Sequence, residues 1–89
     1  MSKTNIRNTS KQILESMLLK SMQTGMLDIY FSYEDIAIEV EGLTKTMYSL
    51  CRQYLAGLGL VHYTQQVKDG KELMQIAPKA IDFVECHDN

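Results

Sequence analysis

Residues 57–73 read GLGLVHYTQQVKDGKEL, and the reading of this stretch decides the fold. A helix runs out into Gly57 and Gly59, the apolar pair Leu60–Val61 opens a strand, and KDGK at 68–71 turns the chain back. With Asp69–Gly70 as the central pair of a type I′ turn, the register is set by the turn itself. Lys68 is then expected opposite Lys71, Gln65 opposite Met74, and Tyr63 opposite Ile76. Val61, Tyr63, Met74 and Ile76 share one face, as a half-buried ribbon requires. His62, Thr64, Gln66 and Gln75 take the other face, with Leu73 the one exception. Turn chemistry and alternation agree on a single hairpin. Its tip poses a problem: two lysines directly opposite each other repel, so the pairing calls for something negative nearby.

Upstream of the hairpin, Thr44 is placed to cap a helix over 44–57, with Leu43 and Tyr48 stapling its start. At about 100° per residue, Met47, Leu50, Cys51, Tyr54, Leu55 and Leu58 fall on one side, predicted to be buried. Lys45, Thr46, Ser49, Arg52, Gln53 and Ala56 fall on the other. That outer face holds small, hydrogen-bonding or cationic side chains and no acid, whereas an ordinary solvated helix face usually mixes both signs.

Further back, Ser32 and Asp35 form a capping box for a helix of about two turns, with Phe31 and Ile36 as its staple. Its apolar residues are Tyr33, Ile36, Ala37 and Val40, and Gly42 is expected to end it. LDIYF at 27–31 alternates as a short strand. The first helix is expected to begin at Thr9, with Gln12 completing a box, and to stop at Gly25. Ile13, Leu14, Met17, Leu18 and Ser21 make its core face, while Leu19, Met22 and Met26 form a second apolar stripe. Downstream of the hairpin, Pro78 suits a helix first turn, and Ala80, Ile81 and Val84 make a short stripe.

Eighty-nine residues suffice for one small domain. The organisation read from the sequence is a basic arm over 1–8, a single domain over 9–86 and a polar tail over 87–89. No apolar run approaches the roughly 20 residues of a membrane span, and MSKTNIRNTSKQ does not read as a signal peptide. Cys51 and Cys86 give neither a disulfide framework nor a metal-ligand spacing, and read as reduced thiols of a cytoplasmic protein. The net charge of −2 is unevenly spread. Lys3, Arg7, Lys11 and Lys20 oppose only Glu15 in residues 1–27, whereas residues 28–42 carry Asp28, Glu34, Asp35, Glu39 and Glu41 without a base. Lys45, Arg52, Lys68 and Lys71 restore a basic balance around the hairpin.

Helix, short strand, helix, tight turn, helix, two-stranded ribbon and a last helix is the order of elements in a winged helix-turn-helix domain, α-β-α-α-β-β-α. The chain resembles that family through LTKTMYSLCRQYLAGLGLV at 43–61, similar to a recognition helix leading into a wing in small bacterial regulators. APKAIDFVE at 77–85 is similar to the segment that resumes a helix after the wing. The resemblance implies a mainly α fold with a small antiparallel hairpin (α+β) that binds double-stranded DNA as a transcriptional regulator. Helix 44–57 would read the major groove through Lys45, Thr46, Ser49, Arg52 and Gln53. The wing, 66–72, would set Lys68 and Lys71 near phosphates. Arg, Gln and Ser or Thr are the side chains that pair with base edges, and lysines at phosphates release counterions.

Nothing points to an enzyme: no nucleotide-binding loop, metal motif or nucleophile signature is present. His62 and His87 have no visible partner, and Cys86 beside His87 is half a metal site without its other half. No cofactor and no metal are therefore expected. The competing reading is a winged helix that binds protein, its acidic second helix meeting a basic partner. Leu19, Met22 and Met26 suggest a homodimer under either reading.

Overall fold

Helix α1 spans Ile6–Thr24 in the computed structural model, which describes residues 5–86. Asn5 caps it, accepting from the Asn8 N–H at 2.9 Å. The expected start at Thr9 is thus about one turn late, and residues 6–8 of the expected arm are helical. The core explains the extension. Ser10, Ile13, Leu14, Met17 and Ser21 are buried on α1, and the same spacing runs back to Ile6, which packs on the core. Asn serves as an N-cap at least as well as Thr. Lys3 and the tail 87–89 lie outside the described residues. At the far end Gly25, at φ 75°, closes the helix by donating its N–H to the Ser21 carbonyl.

Strand β1 (Asp28–Phe31) leads into α2 (Tyr33–Glu39), whose capping box is complete. The Ser32 hydroxyl accepts from the Asp35 N–H at 3.2 Å, and the Asp35 carboxylate accepts from the Ser32 N–H at 3.1 Å. So short a helix needs packing as well as caps, and Phe31 and Ile36 are both buried. The helix closes at Glu39, and Gly42, at φ 79°, turns the chain toward α3 (Lys45–Gly57), capped by Thr44. Strands β2 (Val61–Lys68) and β3 (Lys71–Ile76) and helix α4 (Pro78–Cys86) complete the order. The strands form one antiparallel sheet in the order β1-β3-β2, giving an α+β fold of four helices and three strands among the described residues.

The hairpin turns where expected. Asp69 and Gly70 both have positive φ, 56° and 77°, and Lys68 faces Lys71. Beyond Val67, however, the register departs from the turn rule: Tyr63 faces Met74 rather than Ile76. Residues 64–66 of β2 stand against Leu73 alone, a bulge in which Gln65 adopts φ 67°. The Thr64 hydroxyl steadies it, donating to the Leu73 carbonyl and accepting from the Gln66 N–H. Two extra residues preserve the alternation, so Val61, Met74 and Ile76 are still buried together. Leu73, the expected misfit, lies directly opposite Tyr30 of β1.

Helix α3 is rotated relative to its expected face. Tyr48, Cys51 and Leu55 are buried, while Leu50 and Leu58 are 42% and 41% exposed and Tyr54 is only half-buried. The difference is about 60° at 100° per residue. Tyr48 lies on the buried side as a result, its ring packed edge-on against Tyr33 with centroids 5.6 Å apart. The rotation carries Arg52 toward the sheet. Cys51 is fully buried; burial pushes its thiol pKa up, with the neighbouring Ser10 pulling the other way, so it behaves as a core residue. Among the described residues, no helix is long and apolar enough to cross a membrane.

Candidate nucleic-acid interface

The outer face of α3 divides in two. Lys45, Thr46, Ser49 and Gln53 are exposed, and the Gln53 amide donates to the Ser49 hydroxyl at 3.4 Å. Lys45 stays at solvent with its ammonium 5.9 Å from the Tyr33 ring centre. These four side chains are where the sequence places them: accessible, with no acid among them.

Arg52 is elsewhere. Its guanidinium forms an ion pair with Glu72 of β3 and lies 4.3 Å from the Tyr63 ring centre and 5.6 Å from that of Tyr48. The Arg52 and Glu72 side chains are only 30% and 19% exposed. Expected among the base-reading residues, Arg52 instead ties α3 to the hairpin. The physical reason is that a guanidinium stacks on rings and pairs with carboxylates in one plane, and the hairpin presents both, Tyr63 on β2 and Glu72 on β3. Burial pushes the Tyr48 hydroxyl up to about 12, with Arg52 opposing, and burial likewise raises Tyr63. Both phenols are therefore neutral at ordinary pH.

The hairpin tip resolves half of the lysine problem. Lys71 is paired with Asp35 at the start of α2, 3.1 Å away. Burial pushes the Asp35 carboxyl up, but the hydrogen bond from Lys71 and those at Ser32 outweigh it, so its pKa is lowered. The negative object that Lys71 meets is within its own chain. Lys68 is exposed and makes no ion pair among the described residues.

Two clefts flank this region. One, of about 370 Å³, lies between the start of α2, α3 and the hairpin tip, with Glu34, Lys45, Arg52 and Glu72 in its wall. The other, of about 260 Å³, is lined by Ser49, Arg52, Gln53, Ala56 and Tyr63. Sequence reasoning missed Tyr63 and Glu72 as members of this region. The signal available was their place on one face of the hairpin, without any indication that α3 would turn Arg52 toward them.

Elsewhere on the surface, Leu19, Met22 and Met26 are 49%, 79% and 59% exposed. They line an open groove of about 500 Å³ whose far wall is Ile81 and Val84 of α4, with Glu15 and Glu85 also lining it. No family model, curated protein or solved structure matches the chain.

Proposed function

We propose that the chain is a winged helix-turn-helix protein that binds double-stranded DNA, acting as a small transcriptional regulator. The observation that carries this reading is the acid-free, solvent-facing set Lys45, Thr46, Ser49 and Gln53 on α3, flanked by a hairpin whose tip holds Lys68, exposed and without an ion pair among the described residues. In the major groove, Gln53 can pair with adenine, and Thr46 and Ser49 with either kind of base edge. Lys45 and Lys68 serve phosphates, and Lys71 holds the hairpin to α2 through Asp35. The division of labour follows P-O contacts for placement and base contacts for specificity.

A homodimer through Leu19, Met22 and Met26 fits the same reading. Paired recognition helices then read half-sites about 34 Å apart, and the second copy covers this exposed apolar stripe. The test is fluorescence anisotropy with random duplex DNA at two salt concentrations, which expects binding that weakens as salt rises.

One observation favours a protein partner instead. Leu50 is exposed beside Gln53 and Thr46, and Glu34, Glu39 and Glu41 are exposed nearby in the chain. A module of this kind would bind a basic, partly apolar protein surface and leave duplex DNA alone.

A further inference from the structure

The hairpin tip is held by side chains as much as by the sheet. Strand β1 backs β3 only as far as Glu72, which faces Phe31, so Lys71 and the turn project past the end of β1. On the β2 side the ladder is interrupted at residues 64–66, and Val67–Glu72 and Lys68–Lys71 are the pairs beyond the bulge. A bulge bends the strand that carries it and raises its local twist. Where Lys68 stands relative to α3 is therefore set by whatever else holds the tip. Two successive residues of β3 do so. Glu72 is ion-paired with Arg52 of α3, whose guanidinium also lies 4.3 Å from the ring centre of Tyr63, the last β2 residue before the bulge. Lys71 reaches Asp35 at the start of α2, 3.1 Å away. The tip thus lends a carboxylate to one helix and an ammonium to another.

We infer that Glu72 and Asp35 are positioning residues for duplex binding: by tying the tip to α3 and α2, they hold Lys68 where it meets a phosphate beside the groove that α3 enters. The inference rests on the duplex-binding reading. It gives two acids an effect opposite in sign to that of their charge. A carboxylate near a phosphate surface repels the duplex, so charge alone would make their removal strengthen binding, whereas loss of position weakens it. Glu72 carries the larger share. Its pair is the less exposed of the two, and its partner Arg52 is also stacked on a ring, whereas an exposed pair contributes little by itself.

The test is a double-mutant cycle on affinity for random duplex DNA at two salt concentrations, at a temperature where thermal melts show every variant folded. In the wild-type background, Lys68→Ala is expected to weaken binding about three- to tenfold and to lower the salt slope by about one unit. Glu72→Ala is expected to weaken binding by a similar factor despite losing a negative charge, and to lower the slope as well. Adding Lys68→Ala to Glu72→Ala should then cost less than about twofold more, because the lysine has already left its phosphate. Glu34→Gln removes a charge from the cleft wall beside the tip without breaking an ion pair among the described residues, and should bind at least as tightly as wild type. A Glu72→Ala that binds as tightly as wild type or more so, or that loses as much to Lys68→Ala as wild type does, overturns the inference and leaves the duplex-binding reading standing. Equal weakening by Glu34→Gln overturns it too. Should Glu72→Ala not fold, Asp35→Asn, which keeps an acceptor for the Ser32 N–H, enters the same cycle with the same overturning results. Failure of wild type to bind at low salt removes the inference together with the reading it rests on.

Discussion

Lys45 and Arg52 stand on the same outer face of α3 by helical count, yet they end in different surroundings. Lys45 stays at solvent, whereas Arg52 is drawn into an ion pair with Glu72 and onto the rings of Tyr63 and Tyr48. The hairpin lysines repeat the contrast: Lys68 is free of ion pairs among the described residues and Lys71 is held by Asp35. One cation of each pair remains at solvent, and the other ties one element to another. A helical wheel assigns a face; it does not say which residue on that face has a strand beside it.

Arg52→Ala should give the largest break in this comparison. Removing one member of a mostly buried pair strands the other, and about 2–3 kcal/mol of stability is expected to go, roughly 10–20 °C in melting temperature for a chain of this size. Lys45→Ala should leave stability within about 0.5 kcal/mol. A thermal melt of both variants checks the contrast, and equal melting temperatures would erase it.

Gln53→Ala tests base reading at a side chain that no carboxylate holds among the described residues. A loss of about 1–3 kcal/mol on a selected site, with relaxed preference at one base pair, is expected without a change in melting temperature. Uniform weakening on every duplex would instead make Gln53 a positioning residue. Met22→Glu addresses the groove between α1 and α4. Light scattering at high micromolar concentration should give twice the chain mass for wild type and the chain mass for the variant.

Smaller effects separate the hairpin lysines. Lys68→Ala should lower the salt slope of duplex binding by about one unit, with little effect on folding. Lys71→Ala should act on stability, and with a particular pH dependence. The Asp35 pKa is lowered in the folded chain, so its contribution is present above its unfolded value near 3.9 and is lost as pH falls through the folded value. Urea melts from pH 6 downward should show an acid loss that shrinks in Asp35→Asn. An unchanged acid limb in that variant would mean the pair contributes nothing.

Much of the fold was legible because its determinants are local. The Ser32–Asp35 box, the Thr44 cap, the Gly25 stop and the Asp69–Gly70 turn are set within three or four residues, and each is where its chemistry requires. The bulge was not legible. Gln65 at φ 67° carries no glycine or asparagine signal, and the Thr64 hydroxyl that supports it bonds across to Leu73. The rotation of α3 was hidden for the same reason. Arg52 and Glu72 are 20 residues apart, and Lys71 and Asp35 are 36 apart. The candidate site was accordingly half readable: Lys45, Thr46, Ser49, Gln53 and Lys68 are exposed as expected, while Arg52 and Lys71 were claimed by distant carboxylates.

The central claim is that α3 and the hairpin tip meet duplex DNA through their remaining free cations. Its most direct test is the affinity of the wild-type chain for random duplex at about 50 and about 200 mM salt. Two to three phosphate contacts per chain predict a slope near −2 to −3, so a fourfold rise in salt should weaken binding roughly 10- to 40-fold. Absence of binding at the lower salt, or binding that does not change between the two, would contradict the account.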